Sequence, residues 1–193
     1  MLTIEPCCFF TQLQGAIANM REQKLPFATL RTNGDVSMEN LIHFITGQTT
    51  ASNSRVIVSV PYLTLGVAKS IKELLNAEVR DNLNDPIRPA AREVLLLCGH
   101  GRAHIDASPM DMITALDLDK YGKRLRVAVV ESRQTLLLTT SASHSVALFG
   151  NVCAGENLSH TQEFTTLCVC LTPSFGNKLE KEILSVARTK YLF

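Results

Sequence analysis

The run Arg55-Val56-Ile57-Val58-Ser59-Val60, then Pro61-Tyr62-Leu63, then Thr64-Leu65-Gly66-Val67-Ala68, decides the fold class. A β-branched stretch with apolar residues on successive positions reads as a strand buried on both faces. Pro61 leads the chain out of it. Thr64 is a helix N-cap residue, and Val67, Ala68, Ile71, Leu74 and Leu75 recur behind it at helical spacing. Residues 81–92 hold Asn-Asp-Pro punctuation, with Pro86 and Pro89. Val94-Leu95-Leu96-Leu97-Cys98 is then a second buried strand, ending at Gly99-His100-Gly101.

Upstream, residues 6–24 read as a helix, with Leu13, Ala16, Ile17 and Met20 on one face, stopped by Pro26. Phe27–Leu30 is a short strand candidate, and Asn33-Gly34-Asp35 a turn. Ser37 caps a second helix carrying Met38, Leu41, Ile42 and Ile45. Downstream, a helix starts near Pro109, where proline is welcome. Strands are expected at Leu125–Val130, Thr135–Thr140 and Phe164–Leu171, and a closing helix at Asn177–Lys190. The Arg126–Thr140 segment is expected to form a hairpin, turning at Ser132-Arg133-Gln134. Strands that alternate with helices and later neighbour one another predict an α/β fold. It is a three-layer sandwich, with helices on both faces of a mixed, partly parallel sheet. Residues 1–26 are expected to be an N-terminal helical arm, and residues 27–193 one α/β domain.

Composition narrows the function. The chain has 193 residues, 46% apolar and 19% charged, enough for a packed core. Lys plus Arg is 19 and Asp plus Glu is 18, a net charge of +1. No global basic field draws the chain to nucleic acid or anionic lipid, so any such surface is local. No apolar run is long enough to span a bilayer. The start, Met1-Leu2-Thr3-Ile4-Glu5-Pro6, has no basic region preceding an apolar one. Six cysteines include the adjacent Cys7 and Cys8, and Cys168 and Cys170 in an apolar stretch, spacing that suits reduced, buried thiols. A cytoplasmic location is expected.

The common phosphate-binding and hydrolase motifs are absent. There is no Gly-x-x-x-x-Gly-Lys-Ser/Thr loop, no Gly-x-Gly-x-x-Gly after a strand, no Gly-x-Ser-x-Gly elbow and no His-Glu-x-x-His. No cofactor is expected. One cluster has metal-ligand chemistry: Cys98, His100, His104 and Asp106 follow a strand, where α/β folds place functional groups. Gly99 and Gly101 oppose the helix that would bring the two histidines to one face, so the same residues also read as an ordinary polar loop.

A second segment has a more specific pattern. It runs Arg124-Leu125-Arg126, four apolar residues, then Glu131, and after eight further residues Thr140-Ser141-Ala142-Ser143. This layout resembles that of phospholipase D-like proteins, which carry His-x-Lys, four residues, Asp, and later Gly-Ser-x-Asn. Ser37–Ile45 followed by Val56–Pro61 resembles the opening helix and strand of the compact, mobile-element-associated members. The resemblance implies an α/β/α sandwich and two motif copies meeting at an interface, hence a homodimer. It maps the nucleophilic histidine to Arg124, the lysine to Arg126, the aspartate to Glu131 and the asparagine to Ser143. An arginine stays protonated and cannot attack phosphorus, so phosphodiester cleavage of the family type is not expected. Arg124, Arg126, Ser141 and Ser143 are instead the implied anion contacts. The plainer reading is a strand entered by solvated arginines and left through polar residues.

Three functions follow as expectations. The first is a non-catalytic module for nucleic acid or another phosphate-containing ligand, with Lys123 and Arg133 adding local charge. Eight phenylalanines and three tyrosines, without tryptophan, offer modest material for base stacking. The second is an enzyme of unfamiliar type at the Cys98–Asp106 loop, with His144 or His160 as partner. The third is an assembly or adaptor protein using the N-terminal helix, whose Cys7-Cys8-Phe9-Phe10 is notably apolar.

Overall fold

A computed structural model describes residues 6–25, 27–32, 38–48, 55–60, 63–79, 84, 86–98, 116–129, 135–140, 145–150, 165–170, 178–183 and 185. Helix α1 (Pro6–Gln23) leads to strand β1 (Phe27–Thr32), then α2 (Met38–Gln48), β2 (Arg55–Val60) and α3 (Leu65–Asn76). A two-stranded ribbon, β3 (Glu78–Val79) and β4 (Arg88–Pro89), precedes β5 (Val94–Cys98). A single helical turn, α4 (Leu118–Tyr121), and a 3-10 turn at Gly122–Arg124 deliver β6 (Leu125–Val129). Then come β7 (Thr135–Thr140), β8 (Ser145–Gly150), β9 (Thr165–Cys170) and a helical segment over 178–183, α5.

Among the described residues, seven strands form one sheet in the order β1-β9-β8-β7-β2-β5-β6. β2 pairs β5 in parallel with Val56 opposite Val94, and β5 pairs β6 in parallel with Val94 opposite Leu125. The remaining pairs are antiparallel, including β2 with β7, where Arg55 faces Thr140. The all-apolar character of β2 and β5 has its cause here, since each has a neighbour on both sides and a layer on both faces.

Alternation along the strands divides the core in two. Val56, Val58, Val94, Leu96, Val127 and Leu137 meet Leu41 and Ile42 of α2 and Ile71 and Leu74 of α3 on the first face. Ile57, Leu95, Leu97, Ala128, Leu136 and Leu138 occupy the second face, with Leu179 and Ile183 of α5 packed against them. Helices therefore cover both faces of a mixed sheet, as the sequence predicts. Leu13 and Met20 of α1 belong to the first-face core and are almost wholly buried.

Local chemistry explains the helix ends. The Thr64 hydroxyl oxygen accepts from the Val67 amide at 3.1 Å and caps α3, while the hydroxyl donates to Glu39 Oε1 at 3.0 Å, tying α2 to α3. Gly66 leaves room for that carboxylate: a Cβ there would lie 2.5 Å from Glu39 Oε1. Helix α1 ends as a Schellman turn. Lys24 takes φ 55, its amide reaches Arg21 O, and the Leu25 amide reaches Met20 O.

The expected hairpin between β6 and β7 does not form. β6 lies at the sheet edge beyond β5, so β2 and β5 separate it from β7. The five residues 130–134 connect strands about 14 Å apart. The cause is the run Leu136-Leu137-Leu138, buried on both faces, which needs neighbours on both sides and finds them in β2 and β8. The hairpin is one strand later: β7 pairs β8 from Thr135–Gly150 to Thr140–Ser145. The helix expected from Pro109 begins outside the described residues, as does the Ser37 cap.

Candidate functional site

Strand directions give the sheet two working edges. The parallel strands β2, β5 and β6 all start at one edge, where β7 ends. They finish at the opposite edge, where β7 starts and β8 ends.

The first edge carries a row of charges. Arg55 donates from Nε (3.0 Å) and Nη2 (2.7 Å) to Glu93 Oε2, and from Nη1 to Glu180 Oε1 on α5. Arg126 Nη1 stands 3.5 Å from Glu93 Oε1. Burial alone would lower the Arg55 pKa, but the hydrogen bond to Glu93 and the charges of Glu180 and Glu93 raise it above its ordinary value. Two guanidinium groups and two carboxylates thus meet in one half-buried row.

Arg124 is engaged elsewhere. It closes the 3-10 turn rather than extending β6, and its Nη2 donates to Leu75 O at 2.8 Å and Ala91 O at 3.1 Å. Leu75 lies in the last turn of α3, so the guanidinium caps that helix C-terminus. Arg124 is held by first-face residues, whereas Arg126 joins the row closed by α5 on the second face. The two arginines therefore do not converge on one point. Thr140, from which Ser141 and Ser143 follow in sequence, pairs with Arg55 and shares the edge with Arg126. Ser141, Ser143 and Glu131 themselves lie outside the described residues. Arg55, Glu93 and Glu180 were not singled out by sequence. Only the placement of Arg55 and Glu93 just before two buried strands hinted at a shared edge.

At the opposite edge, Val60, Cys98 and Val129 stand side by side in register. The Cys98 thiol is mostly buried and donates weakly to Ala128 O at 3.9 Å. Burial pushes its pKa up, against a smaller opposing pull from its own backbone amide, so it is a neutral thiol near pH 7. His100, His104, Asp106, His144 and His160 lie outside the described residues. Among the described residues no three His, Cys, Asp or Glu side chains are grouped to hold a metal. No described helix is long and apolar enough to cross a membrane.

No protein-family model matches the chain, and no curated protein matches it. Solved structures do. NucT from Helicobacter pylori is similar at a TM-score of 0.50 and 9% identity, over 86% of this chain and 99% of that one. The fold is phospholipase D-like. TrmBL2, an archaeal chromatin protein with a novel mode of DNA binding, is similar at a TM-score of 0.47 and 8% identity. That match covers 93% of this chain, which spans 59% of the chromatin protein. A mutant of yeast tyrosyl-DNA phosphodiesterase 1 is similar at 0.41 and 9% identity, over 75% of this chain and 32% of that one. These last two likenesses are too loose to argue from.

Proposed function

We propose that this chain is a non-catalytic module that binds nucleic acid through its phosphates, on a phospholipase D-like fold and as a homodimer. The observation that carries the reading is the edge at which β2, β5 and β6 finish beside the start of β7. In open α/β sheets ligands bind outside the carboxyl ends of the parallel strands. Arg133 precedes Thr135 by two residues and Arg102 follows Cys98 by four, so both adjoin that edge in sequence. The opposite edge competes less well, because the protein's own carboxylates and carbonyls already occupy Arg124, Arg55 and Arg126. With Arg124 at the position the resemblance gives to the nucleophile, binding without cleavage is the expected chemistry.

The test is binding of a labelled single- and double-stranded oligonucleotide over a salt series. Affinity is expected to fall steeply with salt, to drop severalfold in Arg133→Gln, and to change little in Arg126→Gln. No binding at low salt by the folded wild type overturns the reading. A loss confined to Arg126→Gln moves the ligand to the other edge. Sedimentation at several concentrations tests the homodimer, and a monomer throughout removes that part.

A further inference from the structure

The turn that delivers β6 is pinned at both ends and points its lysines outward. Tyr121 is buried in the first-face core, and the Arg124 guanidinium holds Leu75 O and Ala91 O. Between them Gly122 takes φ 53, and the Leu125 amide closes the 3-10 turn on Gly122 O. Lys120 and Lys123 are carried on this anchored backbone, and both are exposed. Lys120 Nζ stands 5.3 Å from the centroid of the Tyr121 ring. Arg92 is exposed as well. It precedes Val94 of β5 by two residues, just as Lys123 precedes Leu125 of β6, the residue that pairs with Val94. The Arg124 bond to Ala91 O, at 3.1 Å, ties the turn to the residue before Arg92. Arg92, Lys120 and Lys123 have no ion pair among the described residues. Glu93, next to Arg92 in sequence, is committed to Arg55 and Arg126, and the exposed Asp117 pairs with none of the three.

We propose that Arg92, Lys120 and Lys123 form a second phosphate-contacting ledge, which continues the nucleic-acid surface from the finishing edge of the parallel strands to their starting edge. The inference rests on the function proposed above and adds to it the length of strand that the domain engages. Cations on an anchored turn lose less freedom on meeting phosphates than cations on a loose chain. They act on the backbone through charge, so the ledge adds affinity without sequence preference. With a net charge of +1, the chain has no general basic field to do this instead. The two edges are about 17 Å apart along a five-residue strand such as β5 and farther over the surface. A very short strand therefore engages one edge, and a longer one reaches both. Nucleic acid suits the ledge better than an anionic membrane does. Helix α3, whose end Arg124 caps, turns Ile71, Leu74 and Leu75 into the core, so its apolar face is not offered to a bilayer.

Binding of fluorescent thymidine oligonucleotides of about 4 and about 16 nucleotides, the range of site sizes in compact single-strand-binding domains, reads the extension over a salt series. The combined variant Arg92→Gln, Lys120→Gln, Lys123→Gln is expected to match wild type on the short strand. On the long strand it is expected to bind severalfold more weakly, with a salt slope shallower by about 2, from three contacts at about 0.7 each. Lys120→Arg with Lys123→Arg is expected to keep the wild-type slope. All three side chains are exposed, so the combined variant is expected to fold, which circular dichroism checks. Lys123→Gln alone, with a slope change of about 0.7, takes its place if it does not. Equal slopes for wild type and variant on the long strand overturn the extension. If Arg133→Gln still weakens binding at both lengths, the proposed function stands without it. A loss of equal size on both lengths also overturns the extension, since the ledge is then the primary contact. No binding at either length overturns the extension together with the proposed function. Wild-type capture of phosphatidylserine vesicles that the combined variant loses, without a length-dependent oligonucleotide effect, assigns the ledge to a membrane and overturns it.

Discussion

Arg124 does structural work at the end of a helix. It satisfies Leu75 O and Ala91 O from positions 49 and 33 residues away in sequence. Arg124→Ala is expected to cost about 1–3 kcal/mol, because two carbonyls lose a charged donor. Urea unfolding monitored by circular dichroism measures this, and an unchanged midpoint would return Arg124 to the role of a free ligand residue. Cys98 gives a second prediction. Its pKa is raised by burial, so the thiol should alkylate slowly near pH 8 and speed up only as pH rises beyond the ordinary thiol range. The sign for stability follows: the protonated thiol favours the folded state below the unfolded pKa, and that contribution is lost as pH climbs through the folded one. Peptide-resolved iodoacetamide labelling reads it, and wild-type labelling at the rate of the urea-unfolded chain near pH 8 would refute it. Both residues are plain in the sequence. Their partners are not, because Glu93, Ala91 and Leu75 are brought to Arg124 and Arg126 by strand pairing and by the packing of α3, which no short motif encodes.

At the scale of elements, α1 ends on a lysine where glycine is the usual choice. Lys24 holds φ 55 to complete the Schellman turn. Lys24→Gly is expected to stabilise the protein by up to about 1 kcal/mol, since the left-handed conformation costs an L side chain that much. A thermal melt checks it, and a lower midpoint would mean that the lysine side chain contributes more than its strain costs. The buried strands β2 and β5 and the capped helix α3 were readable because continuous apolar runs, a Thr cap and helical spacing agree with one another. β8 is not legible although Val146 and Leu148 alternate, because the flanking Ser141–Ser145 reads as the polar end of β7. The same polar stretch is why the expected hairpin falls one strand before the observed one. The triple leucine of β7 carried the missing information, as a strand buried on both faces cannot be the outer arm of a hairpin at a sheet edge.

At the scale of the whole molecule, the expected α/β/α layering follows from alternation within the strands. The order of the strands does not, because parallel and antiparallel neighbours use the same apolar residues. The reach of α1 into the core was half legible: Leu13 and Met20 share a face, but only packing shows that this face is covered by the sheet layer. Leu13→Ala is therefore expected to cost about 2–5 kcal/mol, the range for a fully buried leucine. A cost below 1 kcal/mol in chemical denaturation would mean that α1 is an appendage rather than part of the core.

The pairing of β1 with β9 sets a timetable for the growing chain. In the antiparallel register Phe27 lies opposite Cys170, and Thr32 opposite Thr165. While a ribosome is still making the middle of the protein, β1 has no strand to join, although α1, α2, β2 and α3 already have their sequence neighbours. Strand β1 is translated well before its partner and is placed only once β9 exists, and until then its backbone is an open invitation to other chains. A nascent chain arrested before residue 165 should expose Phe27–Thr32 to proteolysis and chaperone capture, and one arrested well beyond residue 170 should not.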